Sequence, residues 1–578
     1  MKKLMLGNDA VARGLYEAGV SVVSSYPGTP STEITEAVAQ YEEIYCEWAP
    51  NEKVACEVAF GASFGGARSF SAMKHVGLNV AADLVYTAAY TGVNGGFVMA
   101  VADDQGMHSS QNEQDSRHHA IAAKVLMLEP ADSAECLAYT KLAYDLSEKY
   151  DTPVFLRLST RVSHSQSLLE MGERVEKEIG EYKKNPQKFV MMPGNARARR
   201  VVVEERMKTL EQYAESAPIN TVEMGDKKIG IIASGVTYQY AREALGDNAS
   251  YLKLGMVNPL PVELIRTFAA SVDKVYVIEE LDDIIETHCK KHGIAVTGKE
   301  IFSMIGEYTA SNIREKILGD TLDRYAIDMA VPMRPPVLCP GCPHRGLFYV
   351  LNKMNLVVSG DIGCYTLGAL PPLGAMDSTI CMGASISGLH GLNKARGDAF
   401  AKRSVAVIGD STFMHSGITG LIDIVYNKGV STVIVADNAI TGMTGHQNNP
   451  TTGLTIREEP TATVDIEKLC RGIGIARVRV VDPQDMDALE TILNEELSTP
   501  ETSVIITRRP CVLLKSVKPK PPYTVVADAC KSCRACMKIG CPAISFKDKK
   551  AVINKTLCVG CELCEKMCKF GAITREVL

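Results

Sequence analysis

The chain has 578 residues and a formal charge of −6, with 46% hydrophobic, 22% charged and 6% aromatic residues. Hydrophobic cores stop growing at about 250–300 residues, so about three to five domains are expected, and the composition excludes a disordered chain. The acidic balance argues against a nucleic-acid or anionic-membrane partner.

The N-terminal stretch MKKLMLGNDAVARGL lacks the apolar core of a secretory leader. No later run reaches the roughly 18 apolar residues of a membrane span, which predicts a cytoplasmic protein. Residues 1–180 alternate strands (VSVVSSYP, FVMAVADD, KVLMLEP, PVFLRLS) with helical stretches, one carrying Glu52. That pattern predicts a parallel sheet buried on both faces. A charged stretch over 181–226 reads as a linker or an exposed helical excursion. From 227 to 330 a smaller alternation runs from KKIGIIASG to KVYVIEEL. The segment 331–516 opens with RPPVLCPGCP and carries the strands SVAVIGD, STVIVADN and TSVIITRRP. KPKPPY, at 518–523, is a stiff hinge, and the domain 517–578 around and beyond it is dense in cysteine.

Eight of the 18 cysteines fall in the last 49 residues. Cys530, Cys533 and Cys536 are followed by Cys541-Pro542; Cys558, Cys561 and Cys564 are followed by Cys568. Two such runs resemble a bacterial-type two-cluster ferredoxin, in which the fourth cysteine of each run ligates the other 4Fe-4S cluster. One cluster then takes Cys530, Cys533, Cys536 and Cys568, the other Cys558, Cys561, Cys564 and Cys541. Zinc more commonly uses paired CxxC motifs than CxxCxxC triplets. The first run has four residues before its last cysteine instead of three, and Lys569 stands where proline is usual.

SVAVIGD and STVIVADN bracket a helix, so their ends meet at one edge of a parallel sheet, where open α/β sheets bind ligands. Asp410 and Asn438 are therefore placed to share a magnesium ion, which takes six oxygens. The spacing resembles the thiamine-diphosphate motif, with Ser411 replacing its last glycine. The resemblance implies Asp410, Asn438 and the backbone of Ile440 as magnesium ligands, with Ser411 beside the cofactor. CMGASISG opens a helix whose first amides, at Gly383, would help hold the diphosphate. Asn51-Glu52 before an Ala/Gly-rich helix resembles the segment that carries the aminopyrimidine-facing glutamate of thiamine enzymes, and Glu52 suits that spacing better than Glu57.

Tyr26-Pro27-Gly28-Thr29-Pro30-Ser31 resembles the turn near the start of 2-oxoacid ferredoxin oxidoreductases, and GMTGHQ at 442–447 resembles their turn after the asparagine. MHSSQNEQDSR at 107–117 is similar to the indolepyruvate ferredoxin oxidoreductase branch, whose domain order covers the whole chain. The resemblance implies a multidomain α/β large subunit, with parallel-sheet thiamine-diphosphate domains and a small α+β two-cluster ferredoxin domain. It also implies aryl 2-oxo acid and coenzyme A as substrates, ferredoxin as electron acceptor, and a smaller beta subunit in a dimer of heterodimers. Thr29 falls where the family places a hydroxyl near the substrate, and His108 and Arg117 are candidates for its carboxylate. Cys339, Cys342, Cys364 and Cys511 lie in the segments that hold a third cluster in related enzymes. The alternatives are a non-aryl substrate such as pyruvate, and an electron-transfer subunit whose thiamine half is degenerate.

Overall fold

The computed structural model describes residues 2–179, 182–320, 322, 327–332 and 335–575. Gly180 and Glu181, at the first expected boundary, and Arg334, in the opening of the third expected domain, lie outside the described residues. The chain forms two compact units, Met1–Asp328 and Met329–Leu578.

In the first unit seven strands form one sheet. Their order is Met256–Asn258, Leu126–Leu128, Val154–Ser159, Phe97–Asp103, Ser69–Lys74, Val22–Ser25 and Tyr45–Trp48. All neighbours run parallel except the first pair. Ser69–Lys74 and Phe97–Asp103 are buried along their whole length, with Met73, Phe97, Met99 and Phe155 in one core cluster. Burial on both faces is why Phe97–Ala102 reads as a continuous apolar run. The segment expected as a separate small domain builds its own sheet from Lys274–Ile278, Ile229–Ser234, Ser250–Leu254 and Thr221–Glu223. It also lends Met256–Asn258 to the larger sheet, so the two are joined by hydrogen bonds.

The charged stretch expected as a linker or excursion contains a 22-residue helix, Pro193–Ala214, that buries Val203, Leu210 and Ala214. Its Arg199 and Arg206 donate to the carbonyls of Tyr90, Thr91 and Ala89. Those carbonyls end the helix His75–Thr91 and have no partner within it. The arginine run is therefore a helix cap.

In the second unit six parallel strands run in the order Ser378–Thr379, Val357–Gly360, Ser404–Gly409, Thr432–Asp437, Ser503–Arg508 and Arg477–Val481. The register sets Gly409 opposite Ala436, and Asp437 opposite Arg508. Asp410, Asn438 and the Arg509–Cys511 segment consequently emerge at the same edge. The tail pairs Tyr523–Val525 with Ile573–Arg575, and Ile544–Lys547 with Lys550–Ile553, around its eight cysteines.

Candidate cofactor and electron-transfer site

Asp410 begins a helical turn directly after its strand and is buried. Its Oδ1 accepts from the backbone of Ser411 at 2.9 Å, and the Thr451 hydroxyl donates to Oδ2 at 3.4 Å. Burial, and then the charge of Asp437, push its carboxyl up to about 7. The amide oxygen of Asn438 lies 3.2 Å from Asp410 Oδ1 and 2.8 Å from the carbonyl oxygen of Ile440. Three oxygens converging in this way repel one another. A cation among them turns that repulsion into coordination, whereas rotating the amide would replace it with two hydrogen bonds. The amide nitrogen faces His344 Nε2 at 3.4 Å, and burial pushes that imidazole down to about 4. A neutral ring accepts there in one of its two tautomers, and that tautomer goes with the orientation that brings the oxygens together. The residues therefore fit a hard cation such as magnesium.

Ser411 is accommodated where glycine was expected: its hydroxyl accepts from Thr441 at 2.9 Å. Gly383 corrects the sequence reading. Its amide donates to Asp361 Oδ1 at 3.0 Å, that of Ser385 to Asp361 Oδ2 at 3.0 Å, and that of Ala384 to the Cys381 carbonyl at 3.1 Å. The first amides of this helix are thus committed to the protein. The buried Asp361 that takes two of them ends the neighbouring strand, and sequence reasoning missed it; the only signal was its place after Val357–Gly360.

Cys511 donates its backbone N–H to the carbonyl of Asn438 at 2.9 Å. A Cβ at Gly442 would sit 3.3 Å from Cys364 Sγ, so that turn runs close against the sulfur. Cys339 and Cys511 act electrostatically on Cys364, and Cys339 and Cys364 act on Cys342. Cys511 thus lies beside Asn438 and Cys364 beside the following turn, and the four cysteines are near enough to influence one another. In the tail, Cys530, Cys533, Cys536 and Cys568 line one pocket. Cys541, Cys558, Cys561 and Cys564 line another, with Pro340 and Gly341 on its wall. Backbone N–H groups of Ala551 and Ser532 hold the Cys530 thiol below its ordinary value.

At the sheet edge of the first unit, Glu52 opens the helix Glu52–Phe64 behind the cap Asn51, whose side chain accepts from Val54 N at 2.9 Å. Glu52 is buried, whereas Glu57 is exposed and paired with Lys53. A Cβ at Gly77 would fall 2.6 Å from Glu52 Oε1, so glycine there makes room for the carboxylate. Thr29 is half-buried, and its carbonyl accepts from the Ser109 hydroxyl at 3.4 Å. Lys74 was not anticipated. It is buried at the end of its strand, its stem lies against Gly28, and its ammonium donates to the Ser109 carbonyl at 3.0 Å. The charges of Asp104 and Glu52 act on it.

His108 is half exposed and reaches Glu307 at 3.1 Å. Arg117 corrects the second carboxylate candidate. It is wholly buried and donates to Asp115, to Glu279 at 2.5 Å, and to the carbonyls of Glu280 and Asp282. Wholly buried and already facing two carboxylates, it is not placed to take a substrate's.

Along 99% of its length the chain is 40% identical to the indolepyruvate oxidoreductase subunit IorA of Archaeoglobus fulgidus, of which it covers 97%. The IorA of Thermococcus kodakarensis is 39% identical, over 98% of this chain and 96% of that one. The chain belongs to the IorA family. Residues 13–225 of this IorA-family chain match the thiamine-diphosphate-binding profile of pyruvate flavodoxin/ferredoxin oxidoreductases. Residues 361–507 match the C-terminal binding domain of thiamine pyrophosphate enzymes, and 551–574 a 4Fe-4S binding domain. The chain is accordingly a thiamine-diphosphate-dependent 2-oxoacid:ferredoxin oxidoreductase of α/β fold. A solved 2-oxoglutarate:ferredoxin oxidoreductase from Magnetococcus marinus aligns over 55% of this chain and 65% of that one, at 19% identity and a TM-score of 0.47.

Proposed function

We propose that this chain is the large, catalytic subunit of an enzyme that oxidatively decarboxylates aryl 2-oxo acids, indolepyruvate among them. The acyl group passes to coenzyme A and the electrons to ferredoxin. The relatives at 38–40% identity carry the indolepyruvate name over nearly their whole length, which supports the substrate. The observation that carries the chemistry is the convergence of oxygens from Asp410, Asn438 and Ile440 beside four clustered cysteines.

Asp410, Asn438 and the Ile440 carbonyl would hold magnesium, and through it the diphosphate. Bound thiamine diphosphate supplies the carbon nucleophile and electron sink that let a 2-oxo acid lose carbon dioxide. Glu52 holds a proton at its carboxylate for the aminopyrimidine ring, and its burial keeps water from competing for that contact. Thr29 and Lys74 take the substrate carboxylate, Lys74 with the two ammonium hydrogens that Ser109 leaves unused. Cys530, Cys533, Cys536 and Cys568 hold one cluster, and Cys541, Cys558, Cys561 and Cys564 a second. Cys339, Cys342, Cys364 and Cys511 hold a third, nearest the cofactor. The enzyme works as a dimer of heterodimers with a smaller beta subunit, in the cytoplasm, where reducing conditions keep these thiols available. Among the described residues no helix is long and apolar enough to cross a membrane.

The test is anaerobic viologen reduction by the chain co-expressed with its partner. Indolepyruvate and phenylpyruvate are compared with pyruvate and 2-oxoglutarate, with and without coenzyme A. Coenzyme-A-dependent turnover confined to the aryl acids is expected. Turnover of pyruvate or 2-oxoglutarate instead overturns the substrate and keeps the mechanism. No turnover by a preparation loaded with thiamine and iron points to an electron-transfer subunit.

A further inference from the structure

Arg345 stands in the first turn of the helix His344–Lys353, three residues after Cys342. It is 2% exposed. Its Nε donates to the Cys339 carbonyl at 3.1 Å, Nη1 to those of Ile539 and Gly540 at 2.9 and 2.6 Å, and Nη2 to that of Leu338. Among the described residues it has no carboxylate partner. The opposite charges that act on it are the sulfurs of Cys541, Cys342, Cys561 and Cys339. One guanidinium thus ties the CPGC loop to the ferredoxin loop before Cys541 and lies between two cysteine sets. The loops also meet at Gly341, where a Cβ would come within 2.3 Å of the Val559 side chain.

A buried cation without an anion costs several kcal/mol, and carbonyl oxygens solvate its charge without cancelling it. Buried thiols offer no compensation while protonated; thiolates held by iron do. The unusual spacing of the first cysteine run belongs to the same arrangement. The four residues between Cys536 and Cys541 end in Ile539-Gly540, whose carbonyls Arg345 takes, with Gly540 at a φ of +63°.

We propose that Arg345 is a positioning residue, the fixed positive charge between the cluster of Cys339, Cys342, Cys364 and Cys511 and that of Cys541, Cys558, Cys561 and Cys564, and that it raises both reduction potentials. This rests on the cluster reading above. Each cluster gains one electron on reduction, and a nearby positive charge stabilises the more negative state. The cluster of Cys530, Cys533, Cys536 and Cys568, which line the other pocket of the tail, serves as the internal reference.

The experiment is an anaerobic potentiometric titration followed by electron paramagnetic resonance on the co-expressed holoenzyme, wild type against Arg345→Gln and Arg345→Lys. Iron and sulfide are counted in each. In Arg345→Gln the reduction equilibrium of the two nearer clusters is expected to fall about tenfold, or 59 mV for one electron, with the third unmoved. Arg345→Lys keeps a charge but not the fork, so the same two clusters shift down by less. Wild-type iron content with unmoved potentials overturns the inference and leaves the cluster reading intact. If Arg345→Gln fails to hold its clusters, a second neutral variant, Arg345→Met, decides, and potentials equal to wild type overturn the inference. Iron for only two clusters in the wild type overturns the cluster reading and the inference with it.

Discussion

Two sheet edges in this molecule bury charge in opposite ways. In the first unit, Arg117 and Arg157 are enclosed by Asp103, Asp115, Glu129 and Glu279, so cations and anions meet. Burial alone would raise the Asp115 carboxyl, yet the charges of Arg117 and Arg157 hold it below its ordinary value. In the second unit, oxygens face oxygens at Asp410, Asn438 and Ile440, and Arg345 is buried with no carboxylate. At the first edge both arginines meet carboxylates; at the second, neither the carboxylate of Asp410 nor the guanidinium of Arg345 has an opposite charge bonded to it among the described residues. Among buried polar groups, the mismatched set marks the functional site, and the matched set marks structure.

Removing one partner from the matched set should have the largest effect on stability. Arg117→Met leaves buried carboxylates unpaired and should destabilise the chain by about 3–5 kcal/mol, read as a lower melting temperature. Asp410→Asn should do the reverse. The cofactor-free protein melts no earlier than wild type, because the substitution removes a like charge beside Asp437, while magnesium-dependent retention of thiamine diphosphate, measured by calorimetry, falls at least about 100-fold. Gly77→Ala drives a methyl group into Glu52. It should lower kcat about tenfold or more at unchanged magnesium affinity, the cost of displacing a positioned group. The smallest effect is in pH. Asp410 is held up at about 7 without its cation, so the proton competes with magnesium below that pH. Apparent affinity should weaken by about tenfold per unit as pH falls below 7 and level off above it; an affinity flat from 6 to 8 would count against Asp410 as the ligand.

The cysteine sets and the pair Asp410 and Asn438 were legible in the sequence, because their spacing along the chain is set by local geometry. Strand ends in a parallel sheet align, and CxxCxxC can wrap a cubane. What was misread depended on distant partners. Arg117 looks free in a polar loop, but its partner Glu279 lies 162 residues away. The amide of Gly383 looks available for phosphate until Asp361, from the neighbouring strand, takes it. Lys74, His344 and Arg345 carry no motif of their own, and their burial appears only when the chain is folded. Strand Met256–Asn258 likewise pairs into a sheet whose first strand, Val22–Ser25, lies far back in the chain, and no local pattern announces it.

The bond between Cys511 N–H and the Asn438 carbonyl joins a candidate cluster ligand to a candidate magnesium ligand through the continuation of two paired strands. Electron tunnelling fades steeply with distance, and in most redox partners that distance is renegotiated at every docking. On the cluster reading proposed above, the first gap the electron crosses is set by strand register. Motions elsewhere in the enzyme would change when substrate arrives and when ferredoxin leaves, while the first electron hop keeps a constant rate.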